Sequence, residues 1–265
     1  MRVFRPLLLF VALLLVVGMA CSALSGGGDV PVPPTQPPQE QPPTSAPQQV
    51  ETEAPAPATE EPVATQEPVS QQYFTDEFDN QLSNDWSILT VTGSTKADPD
   101  KVTVDVKDGN LVWDFNSEYL YYYLFNTAFS YEDVKVEVKA DNRGKNNNSV
   151  SLICRYDPEV GWYEFNIANN GLYNIFYAEV TSSGKISYNQ ITNGGSNSIK
   201  QGKDVNEYSI TCKGQELTLN INGDEVKTVT EKKYSLRKGG IGVSVSSFNV
   251  LPILVEMDWL KVSEP

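Results

Sequence analysis

From Tyr73 onward the chain is written in short runs that alternate apolar with polar residues, with turn signals between them. "VKVEVKA" (residues 134–140) sets an apolar residue at every second position, the period at which side chains change face along a strand. "DVKDGNLVWDF", "NIANNGLYNI" and "LTLNINGDEVKTV" each hold Asp-Gly or Asn-Gly between two such runs. Those dipeptides tolerate the positive φ angles that a tight hairpin demands. No window of a dozen residues carries a helical period. About a dozen strands are expected, more than an immunoglobulin-type module uses, so the pattern predicts an all-β, two-sheet antiparallel jelly roll over residues 73–265.

What precedes that domain is of another kind. Residues 25–72 contain twelve of the seventeen prolines and no aromatic residue. Such a stretch cannot bury enough apolar surface to offset the entropy of ordering it, so residues 21–72 are expected to form a disordered Pro-rich linker. In extended polyproline geometry it reaches about 150 Å at most. Residues 1–20 begin with Arg2 and Arg5 and continue through an apolar run from Leu7 to Val17. The run is short for a membrane span of about 20 residues and has the build of a signal peptide. "GMAC" resembles the lipobox of bacterial lipoproteins, which implies lipidation at Cys21. The expectation is an exported, membrane-anchored lipoprotein on the outer side of the bacterial envelope.

Charge and composition narrow the chemistry. The chain carries a net charge of −14, of which seven acids with no compensating base lie in residues 22–72. An acidic domain on an acidic tether repels phosphates and sulfates, so nucleic acid is not an expected partner. The chain has no histidine. Ser/His/Asp and Cys/His nucleophiles, His-ligated zinc and the commonest general base near neutral pH are thereby removed. With Cys21 spent on lipid, Cys154 and Cys212 are left as an even pair in an oxidising setting, and a disulfide is expected between them.

Residues 154–175, "CRYDPEVGWYEFNIANNGLYNI", look most like a working surface. If the turn after Tyr156 closes a hairpin, Arg155 lies opposite Glu164 and Ile153 opposite Asn166. The Asn170-Gly171 turn then sets Asn166 against Asn174 and Glu164 against Phe176. Leu152, Cys154, Tyr156, Tyr163, Phe165, Ile167, Tyr173, Ile175 and Tyr177 point to the core. Ile153, Arg155, Trp162, Glu164, Asn166, Asn174 and Phe176 point outward, since a period of two does not mix faces without a bulge. A planar aromatic, an Arg, a Glu and two amides form the mixture that binds sugars, rings for the apolar sugar face and bidentate groups for hydroxyls. The same set also reads as a cross-strand ion pair on an ordinary sheet. In "EYLYYYLF", Tyr121 and Tyr123 extend the surface if they face as Trp162 does.

"FTDEFDNQLSNDW", "DGNLVWDF", "VKVEVKA", "SLICRY", "YEFNIANNGLYNI", "YSITCKGQELTLNINGDEV", "KGGIGVSVSS" and "VEMDWLKV" together resemble the concanavalin A-like lectin/glucanase superfamily, including laminin-G-like and 3-keto-disaccharide-hydrolase-like domains. The resemblance spans nearly all of residues 73–262 and implies a jelly roll whose concave sheet often binds glycans. Glucanase members carry a Glu-x-Asp-x-x-Glu run, which this chain lacks. Glycosidases need two carboxyl groups, about 5.5 Å apart when retaining; Glu164 has no second acid among its expected neighbours. The resemblance also implies a structural calcium where first and last strands meet, with Asp76, Glu77, Asp79 and Asp258 as oxygen donors; no other cofactor is expected. Three uses stay open: a non-catalytic module for glycan or another surface polymer, a carbohydrate-active enzyme using Glu164, and a structural envelope domain.

Overall fold

The structure is a computed structural model that describes residues 71–265; the leader, Cys21 and the Pro-rich stretch lie outside the described residues. Two antiparallel sheets face each other. One has the order β10 (Ile186–Gly195), β9 (Leu172–Val180), β8 (Gly161–Ala168), β7 (Asn148–Asp157), β14 (Gly239–Ser247), β5 (Leu120–Tyr131) and β2 (Trp86–Thr92). The other runs β13 (Asp224–Thr230), β12 (Glu216–Ile221), β11 (Val205–Lys213), β6 (Val134–Asn142), β15 (Ile253–Ser263), β4 (Asn110–Phe115) and β3 (Val102–Lys107), with β1 (Phe74–Asp76) also paired to β15. The expected two-sheet jelly roll is formed.

The hairpin signals act as their chemistry requires. Asp108 and Gly109 join β3 to β4 with φ of 53° and 75°, and Asn222 and Gly223 join β12 to β13 with φ of 52° and 88°. Two successive positive φ values are the condition for a type I′ turn, whose twist matches that of the flanking strands. In β6 every valine is buried and each intervening side chain is partly exposed. Those valines meet Leu152, Phe165, Ile175 and Val243 of the opposite sheet in one continuous core. Cys154 of β7 and Cys212 of β11, 58 positions apart in sequence, form the expected disulfide across that core and join the two layers.

The register of β8 with β9 is the one the sequence predicts: Asn166 pairs with Asn174, Glu164 with Phe176 and Tyr163 with Tyr177. The register of β7 with β8 differs. Ile153, not Arg155, pairs with Glu164, and Ser151, not Ile153, pairs with Asn166. One residue of the offset arises at the turn, where Asp157 already pairs with Gly161, and the other from a bulge between Cys154 and Asp157, where Arg155 takes a left-handed φ of 55°. The extra residue shifts the pairing and reverses the faces beyond it, so Tyr156 leaves the inter-sheet core it was expected to join.

Candidate functional site

The outer face of the first sheet is strongly concave. A flat sheet would hold β10 and β5 about 24 Å apart, five interstrand spacings. Yet the Tyr188 hydroxyl on β10 lies 2.7 Å from the Tyr123 hydroxyl on β5. Curvature brings these phenols together, and the central strands make room beneath them. On β14 the residues facing the concavity are Gly242, Ser244 and Ser246, while Val243 and Val245 face the inter-sheet core. On β7 they are Ser149, Ser151 and Ile153. A Cβ at Gly242 would stand 2.7 Å from the Phe125 ring, too close for any side chain to fit without displacement. Aromatics from flanking strands arch over this floor: Tyr123, Phe125, Tyr156 and Trp162 pack together, with the Tyr156 and Phe125 rings stacked 3.6 Å apart.

This packing corrects the expected platform. Trp162 does sit on the face opposite the inter-sheet core, but it is 0% exposed, and so is Tyr123. Alternation assigns a face; it cannot report that neighbouring strands curl over that face. Arg155 is not on the concavity at all. Its guanidinium is 2% exposed and donates to the backbone carbonyls of Glu132 and Leu236 at 2.9–3.0 Å. The bulge turned it there, and its work is to satisfy two loop carbonyls at one end of the sandwich.

Glu164 lies under the arch at 2% exposure. Ser151 donates to Oε1 at 2.8 Å; Tyr123 and the Trp162 indole donate to Oε2 at 3.1 and 3.2 Å. Burial pushes its pKa above the ordinary carboxyl value, and these three donors draw it part of the way back. Because the Tyr123 proton is committed to Glu164, Tyr188 is the donor in the Tyr188–Tyr123 contact, and the hydroxyls form a chain running from the rim to the carboxyl. None of the hydrogen-bond partners of Glu164 is an acid. Ser244 Oγ and Ser246 Oγ on the floor are buried with no partner among the described residues.

The part of the concavity that meets water lies beside the arch. Asn166, Asn174 and Asn193 pair in direct register across β8, β9 and β10, so their amides share the concave face. Asn166 and Asn174 are partly exposed and Asn193 is exposed. Asn166 Nδ2 is held by Ser149 and Ser151 at 2.8 and 2.9 Å. Phe176, Tyr188 and Tyr121 flank this row, each partly exposed, with Tyr188 at 6.0 Å from Phe176 and 6.2 Å from Tyr121 between ring centroids. Of the residues singled out in sequence, the structure brings together Tyr121, Tyr123, Trp162, Glu164, Asn166, Asn174 and Phe176 on one face. Tyr188 and Asn193 were missed; the alternation of "KISYNQ" marks a strand but not its place beside β9.

Asp76, Asp79 and Asp258 do not converge. Asp258 is bonded to Lys139 at 2.7 Å, and Asp76 accepts the Phe78 amide at 2.9 Å. Among the described residues no group of three or more acidic, cysteine or histidine ligands is placed to hold a metal.

Comparison with known proteins gives the following. The family model described as the 3-keto-alpha-glucoside-1,2-lyase-like domain matches residues 74–250. No curated protein sequence matches the chain. Among solved structures, the chain is similar to a Bacteroides ovatus mixed-linkage-glucan GH16 protein in complex with its G4G4G3G product, at 14% identity and TM-score 0.51, over 72% of this chain and 99% of that one. It is also similar to the Bacillus licheniformis β-glucanase, at 14% identity and TM-score 0.50, over 73% and 98%. A β-1,3-glucanase of Mycobacterium marinum aligns at 10% identity and TM-score 0.50, over 73% and 100%. At such identities the likeness is one of fold.

Proposed function

The chain belongs to the family of the 3-keto-alpha-glucoside-1,2-lyase-like domain, and from that membership we propose that it is a carbohydrate-recognition module displayed on the cell surface. The observation that carries the proposal is the amide row Asn166–Asn174–Asn193, in register on the concave sheet beside Phe176, Tyr188 and Tyr121. Amides offer a donor and an acceptor side by side, the match for adjacent sugar hydroxyls, and the rings offer an apolar wall. The acidic domain favours neutral glycans. Glu164 is sealed beneath the arch, so binding there proceeds without chemistry.

The test is retention of the chain on immobilised neutral glycans. Asn174→Ala combined with Asn193→Ala should weaken retention about tenfold, with no sugar released by the wild type. Unchanged retention in that variant sinks the assignment of the surface, and no retention on a broad panel favours a structural envelope role.

A second reading rests on Glu164 itself. A buried carboxyl with a raised pKa, tied to the rim through Tyr123 and Tyr188, is the kind of group that serves as an acid or base. Elimination across C1–C2 of a 3-keto glucoside needs one base: the proton on C2, acidified by the C3 ketone, passes to the carboxylate, the C1=C2 double bond forms as the C1–O bond breaks, and the departing oxygen takes a proton from water and leaves as the alcohol. This use requires Tyr188 to move aside. Turnover of a 3-keto glucoside that is lost in Glu164→Gln would replace the first reading.

Display depends on Cys21, which lies outside the described residues. We propose lipid attachment there; Cys21→Ser should release the chain from the membrane fraction and abolish labelling by a radioactive fatty acid.

A further inference from the structure

The outer face of the second sheet carries an aromatic that simple alternation would have buried. In β15, Ile253, Val255 and Met257 face the core at 0–1% exposure, and the same period would send residue 259 inward. A bulge between Met257 and Trp259 intervenes: Leu260 is the next buried residue, and both Asp258 and Trp259 are turned outside, where each is partly exposed. Bulges re-aim side chains in this way. Asp258 is then occupied by Lys139, but the indole of Trp259 overlooks a recess of about 200 Å³ on the outer surface.

The recess is lined by Lys135 and Glu137 of β6, Glu207 and Ser209 of β11, Asn220 of β12 and Trp259. Ser209 pairs directly with Glu137 on one side and Asn220 on the other, so the three side chains share the face. Ser209 Oγ is buried in this position and has no hydrogen-bond partner among the described residues. A hydroxyl withdrawn from water without a partner costs free energy unless something else supplies the bond. Lys135 lies 2.7 Å and Lys261 3.9 Å from the Glu137 carboxylate, and Glu207 is the other acid of the lining, so the recess carries no excess of positive charge to hold phosphate or sulfate.

We propose that this recess is a second ligand site, separate from the concave face and taking a neutral, hydroxyl-rich ring such as a pyranose. The sugar's C–H face lies on the Trp259 indole, while Asn220, Ser209 and the Lys135–Glu137 pair exchange hydrogen bonds with its hydroxyls. The volume is below the range of pockets that enclose drug-sized ligands, which suits one sugar unit rather than an engulfed chain. Sites on opposite faces of one sandwich would let a single domain touch a polymer twice, or two polymers at once, and raise avidity without further contacts. The proposal does not rest on the amide row.

The experiment follows the indole N–H signals of the isotopically labelled full chain during titration with cellohexaose, laminarihexaose, xylohexaose and mannohexaose. Trp259→Phe assigns the signal and keeps a ring at the position. At least one oligosaccharide should shift the Trp259 signal saturably, and Trp259→Ala, followed through the backbone amide signals of Ser209 and Asn220, should weaken that binding about tenfold. Asn220→Ala with Ser209→Ala should weaken it in an otherwise native spectrum, while Asn174→Ala leaves it unchanged. A panel that never moves the Trp259 signal overturns the proposal, as does a shift that survives the Asn220/Ser209 double variant at full affinity. Retention that fails only in the Asn174/Asn193 variant would leave the concave-face reading standing and this one refuted.

Discussion

Tyr188 and Tyr123 meet hydroxyl to hydroxyl at 2.7 Å across four intervening strands of one sheet. The contact closes an arch whose foundation is the small side chains of β14 and β7. With Val, Leu or Phe at Ser244, Ser246 or Ser151, neither phenol could descend far enough. Trp162 and Glu164 are dry because of that clearance.

Removing the outer half of the arch should therefore expose its inner half. In a Trp86→Phe, Trp259→Phe background, whose emission comes from Trp162 and from Trp113 in the inter-sheet core, Tyr188→Ala is expected to red-shift the emission and to raise acrylamide quenching of the Trp162 component at least about twofold. Tyr188→Phe should leave both unchanged and cost about 1 kcal/mol, the worth of one hydrogen bond. Unchanged quenching in Tyr188→Ala would mean that the phenol does not cover the indole.

Glu164 gives a pH signature with a definite sign. Burial raises its folded-state pKa above the unfolded value, so in the window between the two the native state binds the proton more readily. This contribution to stability is fully present below the unfolded pKa and is lost as pH rises through the folded one. In urea titrations from pH 7 to pH 4, the stability of wild type relative to Glu164→Gln should therefore increase as pH falls. A difference that is flat, or that runs the other way, would contradict a buried carboxyl.

The Cys154–Cys212 bridge closes a loop of nearly sixty residues. Chain entropy puts its contribution near 4 kcal/mol, and strain or residual structure in the reduced state lowers that figure. Reduction, or the double Ala variant, is expected to lower the melting temperature by about 8–15 °C for a domain of this size. Calorimetry with and without reductant checks this.

Arg155 separates a structural role from a binding role. Arg155→Ala strands the carbonyls of Glu132 and Leu236 and should destabilise by about 3 kcal/mol in chemical denaturation. Glycan retention by the folded fraction should match wild type. A variant of full stability that fails to bind would restore Arg155 to the ligand surface.

How far these features were legible in sequence depends on their range. The β8–β9 pairing was readable because a Gly171 turn at φ 91° sets it and because a one-residue slip would turn an entire hydrophobic face to water. The inward set from Leu152 to Tyr177 was readable for the same reason, and it fails only at Tyr156. That failure is the Arg155 bulge, whose left-handed backbone no residue type in "CRYD" announces. The bulge that turns Trp259 outward is equally silent. Burial of Trp162 is longer in range still: it depends on Tyr188 and Phe125, residues on strands whose order in the sheet no local pattern states.

The covalent link between β7 and β11 decides which parts of the cup can yield. The middle of the concave layer is riveted to the layer behind it, so its depth cannot change by the two sheets drawing apart there. Compliance is left to the margins, where β10 is held by β9 alone and β2 by β5 alone. A guest needing more room must push on that lip, and Tyr188 rides on it.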